Sequence, residues 1–140
     1  MATTQTTRQP TLAHGAPVFL VDDVAAAAGY YENVLGFVKE WIFGEPPTYG
    51  QVSRGSVVIN LAKSDQPGKL NSTRAVGTTT KADLNIEVAG NLAALHQELV
   101  GRGAQVDGPP TAQPYGMTSF NVLDPNGYCL CFGQVTVGYE

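Results

Sequence analysis

The stretch ADLNIEVAGNLAALHQELVGRG (residues 82–103) repeats the pattern of APVFLVDDVAAAAGYYENVLGF (residues 16–37). Each stretch begins with a strand-like apolar segment, continues with a helical pattern and ends at a glycine-containing turn. The strand ends, Val21 and Val88, are 67 positions apart, and so are the glycines that follow the two helices. Two landmarks at one offset indicate that a single structural unit has been duplicated.

Both predicted helices have residues suited to begin and end a helix. Asp23 and Asn91 precede the helical patterns, and their side chains can accept hydrogen bonds from free amides of the first turn. Gly36 and Gly103 follow the helices, where glycine adopts the left-handed conformation that ends a helix. The sequence therefore predicts a strand and a helix at the start of each unit.

Three further strand-like segments follow each helix, so each unit has the order βαβββ. Arg54-Gly55 and the run Asp124-Pro125-Asn126-Gly127 supply the residue types of hairpin turns. A polar linker over residues 63–81 joins the two units. The predicted strands cover residues 38–43, 48–53 and 57–62 in the first unit and 104–106, 117–123 and 128–133 in the second.

Composition limits the class of protein and its partners. With 140 residues, of which 43% are hydrophobic, the chain fits one globular domain, and no apolar run approaches the ~18 residues of a membrane span. A net charge of -4 favours neither nucleic acid nor an anionic membrane as a partner. Residues 1–13 are predicted to be a disordered arm without the apolar core of a secretion signal, so we expect a cytoplasmic protein with reduced cysteines.

Three local motifs, taken together with the repeat, resemble a single protein family. Tyr31-Glu32-Asn33-Val34-Leu35-Gly36-Phe37 has the form Y-x-x-x-L-G-F, and residues 124–127 have the form D-P-x-G. Together with the loop Gln113-Pro114-Tyr115-Gly116-Met117, they resemble the vicinal oxygen chelate superfamily, which has the glyoxalase/bleomycin resistance protein/dioxygenase fold. The resemblance covers residues 16–134 and is closest to the metal-free bleomycin-resistance-like branch.

The resemblance implies an α+β fold for one domain over residues 14–140. Two tandem βαβββ units, about 16–62 and 82–134, are expected to form a U-shaped mixed sheet around a cleft, with helices outside. Family members commonly pair, so we expect a homodimer. The sequence is compatible with a dimer in which the copies exchange units and with one in which they do not.

Enzymes of this family usually hold a divalent metal through one residue on each of four strands. The first-strand position falls here on Ala16, which has no donor atom, and the opening position of the second unit falls on Asp83. The remaining positions fall on Cys131 and on Asn60 by strand alternation, or on Ile59 if the strand is aligned on Gly55. Because a metal site needs three or more converging donors, we expect no metal and no cofactor.

Period-2 alternation in the second unit places Asp83, Asn85 and Glu87 on the cleft side of one strand. The alternative is a solvated sheet face. Asp83 and Glu87 are also close enough to repel each other, which would raise one pKa and create a general base. Cys131 is an alternative nucleophile, but no histidine is placed to activate it.

Aromatic side chains supply the expected apolar surface of the cleft. Trp41 and Phe43 alternate on one strand face, with Tyr49 and Tyr115 on neighbouring segments. Ordinary core or dimer packing is the alternative for the first two. The predicted ligand-binding residues are Trp41, Phe43, Tyr49, Asn60, Asp83, Asn85, Glu87, Tyr115, Met117 and Cys131.

Three classes of function remain open at this point. The favoured one is a protein that binds and sequesters a small organic ligand, cationic or aromatic, such as an antibiotic. The second is a lyase, isomerase or dioxygenase of the same fold, acting on a small organic substrate. The third is a structural or protein-interaction role. No catalytic residue is assigned.

Overall fold

A computed structural model describes residues 9–68 and 82–135 of the chain. Within them the two units follow the predicted βαβββ order, with one additional short strand in the second unit, and the α+β fold class is confirmed. The first unit consists of β1 (Val18–Val21), α1 (Val24–Asn33), β2 (Val38–Phe43), β3 (Tyr49–Arg54) and β4 (Val57–Lys63). The second consists of β5 (Leu84–Glu87), α2 (Leu92–Gly101), β6 (Gln105–Val106), β7 (Thr111–Ala112), β8 (Met117–Leu123) and β9 (Cys129–Val135).

The helix ends agree with the sequence prediction. The Asp23 side chain accepts a hydrogen bond from the backbone N–H of Ala26 at 3.0 Å. Asn91 makes the same contact with Ala94 at 3.0 Å. Each side chain thus satisfies one amide that the helix leaves free. Gly36 and Gly103 have φ angles of 74° and 95°, in the region that glycine enters without steric cost.

The strands form two separate mixed sheets, one for each unit, rather than one continuous sheet. The first has the order β1-β4-β3-β2 and the second the order β5-β9-β8-β6, with β7 also paired to β8. In both sheets the first strand of the unit runs parallel to the last, and the other pairs are antiparallel. The equal topology confirms the duplication.

Some predicted boundaries differ from the structure. The first hairpin turn is Gly55-Ser56, one residue later than predicted, because Arg54 still pairs with Val57. The third strand of the second unit, β7, has two residues, and the sequence pattern does not reveal it because Pro109 and Pro110 precede it. Pairing with β8 nevertheless keeps Thr111 and Ala112 extended.

Parts of the predicted arm and linker lie outside the described residues. Residues 9–13 are exposed and have no regular secondary structure, whereas the rest of the predicted arm is not described. Of the predicted linker 63–81, Lys63 belongs to β4, residues 65–68 form bends and turns, and residues 69–81 are not described. In the described ranges, neither helix has the length and apolar character needed to cross a membrane.

One hydrophobic core joins the two units. Phe19 and Val21 of β1 and Ile86 of β5 all belong to this core and are at most 9% exposed. Because side chains alternate along a strand, the other faces of both sheets point away from the core. Val18 and Leu20 on β1 are 51% and 38% exposed. Each chain therefore presents two open sheet faces, one on each sheet, that point away from the core.

A buried polar network crosses the junction between the units. The Tyr31 hydroxyl donates to Asp124 Oδ2 at 2.7 Å, and the backbone N–H groups of Asn126 and Tyr128 both donate to Oδ1 at 2.9 Å. Burial raises the pKa of Asp124 despite these donors, because it penalises the charged form. The Tyr128 hydroxyl reaches the edge of β1, donating to the carbonyl of Leu20 at 2.9 Å and accepting from its N–H at 2.8 Å.

Candidate ligand-binding site

The open face of the second sheet carries a cavity of about 500 Å³, a size typical of small-molecule sites. Five of the ten predicted ligand-binding residues line it, namely Asn85, Glu87, Tyr115, Met117 and Cys131. The structure adds Ile86, Ser119 and Gly133. Alternation from Met117 and from Cys131 indicates the faces of Ser119 and Gly133, so the sequence contains a signal for both.

Strand pairing sets the polar side of the cavity. Asn85 pairs with Cys131 and Glu87 pairs with Gly133 across the β5–β9 ladder. Asn85 and Glu87 are both exposed, and the intervening Ile86 belongs to the core. Glu87 is the one charged residue among those described that line the cavity. The alternation predicted for β5 thus places an amide and a carboxylate side by side.

Gly133 makes room for the apolar side of the cavity. A Cβ atom built on this glycine would lie 3.2 Å from the terminal methyl of Met117, which is tighter than ordinary packing. Beside it, Ser119 accepts a hydrogen bond from the Gln113 side chain at 3.3 Å. Tyr115 precedes β8 and is 59% exposed. A flat ligand would therefore meet a thioether, a bare strand backbone and one exposed aromatic ring.

Cys131 is a neutral part of the cavity wall. Burial raises the pKa of its thiol, and this outweighs the lowering by a hydrogen bond with Ser119. The thiolate is the nucleophilic form of cysteine, so Cys131 is poorly suited to attack a substrate at neutral pH. Cys129, two positions earlier and therefore on the same strand face, is buried. His96 does not approach the thiol, since its ring contacts Phe120 and the carbonyl of Gly108.

Asp83 stands apart from the other two polar residues of its strand face. Its Oδ2 accepts a hydrogen bond from the backbone N–H of Cys129 at 2.8 Å, and its own N–H donates to the Cys129 carbonyl at 2.8 Å. Asp83 is not among the residues that line the cavity. Its carboxylate holds the start of β9 against the segment before β5. Asp83 therefore has a structural contact of its own, and its repulsion with Glu87 stays a prediction.

The remaining predicted residues share the open face of the first sheet. Trp41 and Tyr49 are in contact, with ring centroids 5.4 Å apart, and Phe43 is 68% exposed. Asn60 accepts a hydrogen bond from the Gln51 side chain at 2.9 Å. Val18 and Leu20 lie on this face as well, because Val18 is opposite Asn60 in the pairing of β1 with β4. Trp41, Phe43, Tyr49 and Asn60 thus lie together on the first sheet, whereas the cavity lies on the second.

The residues at the family's metal positions do not fit a divalent ion. Ala16 has no donor, and Ile59 is buried in the core, so the fourth position is Asn60. The carboxylate of Asp83 is bonded to the backbone, and the Cys131 thiol is held in its protonated form. Over residues 9–68 and 82–135, no three His, Cys, Asp or Glu side chains converge as a metal site requires.

Two βαβββ units with a shared core and a concave site on an open sheet face define the class of this protein. It has the tandem fold in which cleft residues, rather than the scaffold, determine function. The model of the Glyoxalase/Bleomycin resistance protein/Dioxygenase superfamily matches residues 11–132, and the chain belongs to this family.

Solved structures agree with this assignment. A glyoxalase-related enzyme from Clostridium phytofermentans has a TM-score of 0.69 at 19% identity, and the match covers 91% of this chain and 98% of that one. A glyoxalase/bleomycin resistance protein/dioxygenase from Nocardioides has a TM-score of 0.67 at 12% identity, covering 99% and 94%. At these identities the likeness shows the fold alone.

A third structure is similar at higher identity. The bleomycin-binding protein from bleomycin-producing Streptomyces verticillus, solved with copper(II)-bleomycin, is 26% identical with a TM-score of 0.64. The match covers 93% of this chain and 99% of that chain. No curated protein sequence matches the chain significantly.

Proposed function

We propose that this protein binds and sequesters a small cationic aromatic molecule, such as an antibiotic, in the cytoplasm and without a metal or cofactor. The observation that carries the proposal is the cavity on the second sheet, in which Glu87 lies beside Tyr115 and Met117. A carboxylate attracts a cationic group, and an aromatic ring and a thioether favour a flat apolar body. The bleomycin-binding relative supports binding as the function, because it carries its ligand on the same fold.

The proposed working form is a homodimer. Both open sheet faces expose large apolar side chains, Trp41 and Phe43 on the first and Tyr115 and Val135 on the second. Exposed apolar patches of this kind mark interaction surfaces. The aromatic residues of β2 belong to the first sheet and the cavity to the second, and in the proposed dimer a second copy brings the two surfaces together. A two-fold dimer would form two such sites.

The enzyme alternative lacks its chemical groups among the described residues. No converging metal donors are present, and Cys131 has a raised thiol pKa. Glu87 remains as a general base, but the described lining of the cavity holds no cationic group to stabilise a developing anion. Binding without turnover is therefore the better supported function.

A matched pair of probes tests the role of Glu87. Benzamidine is cationic and benzamide is a neutral molecule of nearly the same shape. We expect the wild-type protein to bind benzamidine about tenfold more tightly, the usual effect of a charge-assisted hydrogen bond. Glu87→Gln should abolish this preference, because the amide keeps the shape of the side chain and removes its charge. Titration calorimetry measures both affinities.

Asp83→Asn is the matched control for Glu87→Gln. It removes a charge from the same strand face, but the carboxylate it replaces is bonded to the backbone of Cys129. We expect lower stability and an unchanged preference for benzamidine. Equal binding of the two probes by the wild-type protein, or a preference that survives Glu87→Gln, would contradict the proposal. Copper(II)-bleomycin, the ligand of the similar structure, is the first large ligand to titrate.

A further inference from the structure

The duplicated fold contains two equivalent junctions between the units, and their side chains differ. The offset of 67 residues makes Ile86 equivalent to Phe19 and Glu98 equivalent to Tyr31. Because Val18 pairs with Asn60 and Asn85 pairs with Cys131, the last strands correspond as well. Counting back three residues from Asn60 and from Cys131 makes Val57 equivalent to Tyr128.

A tyrosine fills the first junction. The Tyr128 ring stacks on Phe19 with centroids 4.1 Å apart, and Tyr128 is only 4% exposed. Its hydroxyl both donates to and accepts from the backbone of Leu20 at the free edge of β1. The nearby contact from the Tyr31 hydroxyl to Asp124 completes the junction. One phenol side chain therefore supplies both apolar packing and two hydrogen bonds.

The second junction keeps the surrounding contacts but lacks the ring. An ion pair replaces the tyrosine–aspartate contact, with Arg54 donating to both carboxylate oxygens of Glu98 at 2.9 and 3.1 Å. The aromatic pair of the first junction is replaced here by two aliphatic residues, Ile86 and Val57. The space is a crevice of about 590 Å³ floored by core side chains that include Phe37, Ile86 and Phe132.

The edge of β5 faces this crevice as the edge of β1 faces Tyr128. Both strands lie at the end of their sheet, and the outer edge of such a strand presents N–H and C=O groups. Glu87, the equivalent of Leu20, borders the crevice. By strand alternation the Glu87 side chain lies on the open face that carries the first cavity. The backbone N–H and C=O of Glu87 are therefore equivalent to the Leu20 groups that bond to the Tyr128 hydroxyl. Glu98 adds no free charge, since Arg54 and Arg102 both bind it and its contact with Arg54 lowers its pKa.

We infer that this crevice is a second binding site, which takes a neutral phenol: an aromatic ring whose hydroxyl bonds to the β5 edge as Tyr128 bonds to the β1 edge. The ring would pack against Ile86, Phe132 and Val57, and the hydroxyl would bond to the backbone of Glu87. The crevice shares Ile86 and Glu87 with the cavity of the proposed function but is otherwise lined by different residues, and the inference does not depend on that function.

Methyl-detected NMR with 4-methylphenol, the side chain of tyrosine as a free molecule, tests the inference. We expect saturable shifts at Val57 and Leu95, which border the crevice and not the first cavity. Toluene, which lacks the hydroxyl, should bind about three- to tenfold more weakly, the usual effect of one net hydrogen bond. Equal affinity for the two probes, or shifts confined to Met117 and its neighbours, would overturn the inference, as would the absence of any saturable shift.

Two filling variants make the test specific. Val57→Tyr builds the residue found at the equivalent position of the first junction, and it should weaken 4-methylphenol at least tenfold. Ala94→Leu fills the crevice from an exposed position of α2 and should have the same effect if Val57→Tyr does not fold. Benzamidine affinity should stay unchanged in both variants. Undiminished 4-methylphenol binding in a folded filling variant refutes the phenol site, whereas failure of benzamidine to bind the wild type would refute only the proposed function.

Discussion

Replacing Tyr31 by Phe tests how the two units are held together. Tyr31 is fully buried, and its hydroxyl is a donor to Oδ2 of Asp124, which is 3% exposed. The change removes one oxygen and no apolar packing, so the Phe37 ring that contacts Tyr31 edge-on keeps its partner. A hydrogen bond to a buried charged group contributes about 1.5–3 kcal/mol. We expect Tyr31→Phe to lower the free energy of unfolding by about 2–3 kcal/mol at pH 7.

Tyr30→Phe is the matched control, because the neighbouring hydroxyl is also buried but has no hydrogen-bond partner among the described residues. Burial and the charge of Asp124 raise the pKa of Tyr30 to about 12, so both tyrosines are neutral at pH 7. Removing an unsatisfied buried hydroxyl costs little and can stabilise. Urea unfolding at constant m-value measures both variants. Equal losses for Tyr30→Phe and Tyr31→Phe would refute the assigned role of the Tyr31 hydroxyl.

The pH dependence of the same pair gives an independent check. The pKa of Asp124 is raised in the folded state, so the stability it contributes is fully present below its unfolded pKa and is lost as pH rises through the folded pKa. The donor at Tyr31 lowers that pKa, and removing the donor raises it further. The loss of stability in Tyr31→Phe should therefore be larger at pH 7 than at pH 4. A loss that does not change with pH would contradict this reasoning.

The remaining predictions concern metal, the thiol and assembly. The purified protein should contain no stoichiometric divalent metal by mass spectrometry, and a chelator should leave its melting temperature unchanged, whereas one tightly bound ion per chain would move the proposal to an enzyme. Cys131 should react with iodoacetamide at pH 7.5 more slowly than a cysteine peptide, because its thiol pKa is raised; faster alkylation, mapped by mass spectrometry, would contradict the neutral wall. Light scattering should give twice the mass of one chain, and Trp41→Glu should shift the species toward monomer because it places a charge on the exposed face of β2.

Much of the scaffold could be predicted because its signals are local. Capping by Asp23 and Asn91 depends on residues three positions away, and the bounds of β2 and β8 agree with the strand-like segments of the sequence. The duplication was visible because both units keep the same spacing between strand end and helix end. The short β7 was missed although its partner β8 is the next strand along the chain, because two residues are too few for an alternating pattern and two prolines precede them.

The site was harder to predict because alternation gives the face of a residue but not its partner. The pattern treats Asp83, Asn85 and Glu87 alike, yet the carboxylate of Asp83 is bonded to the backbone of Cys129. The D-P-x-G motif likewise indicated only a turn, whereas Asp124 also accepts the hydroxyl of Tyr31 from the other unit. Both contacts span more than forty positions of the chain, a range at which single-sequence periodicity carries no information.

The differences between equivalent residues of the two units also indicate which kind of ligand the proposed dimer would hold. At equivalent positions of β1 and β5, the first unit has Val18 and Leu20 where the second has Asn85 and Glu87. The two open faces of a duplicated sheet have thus become one apolar aromatic surface and one polar acidic surface. A molecule enclosed between the two faces would meet Trp41 and Phe43 on one side and Glu87 on the other. A symmetric apolar compound would leave the carboxylate without a partner, and burying an unpaired charge is costly. The pairing of surfaces therefore favours a ligand with an aromatic side and a cationic side.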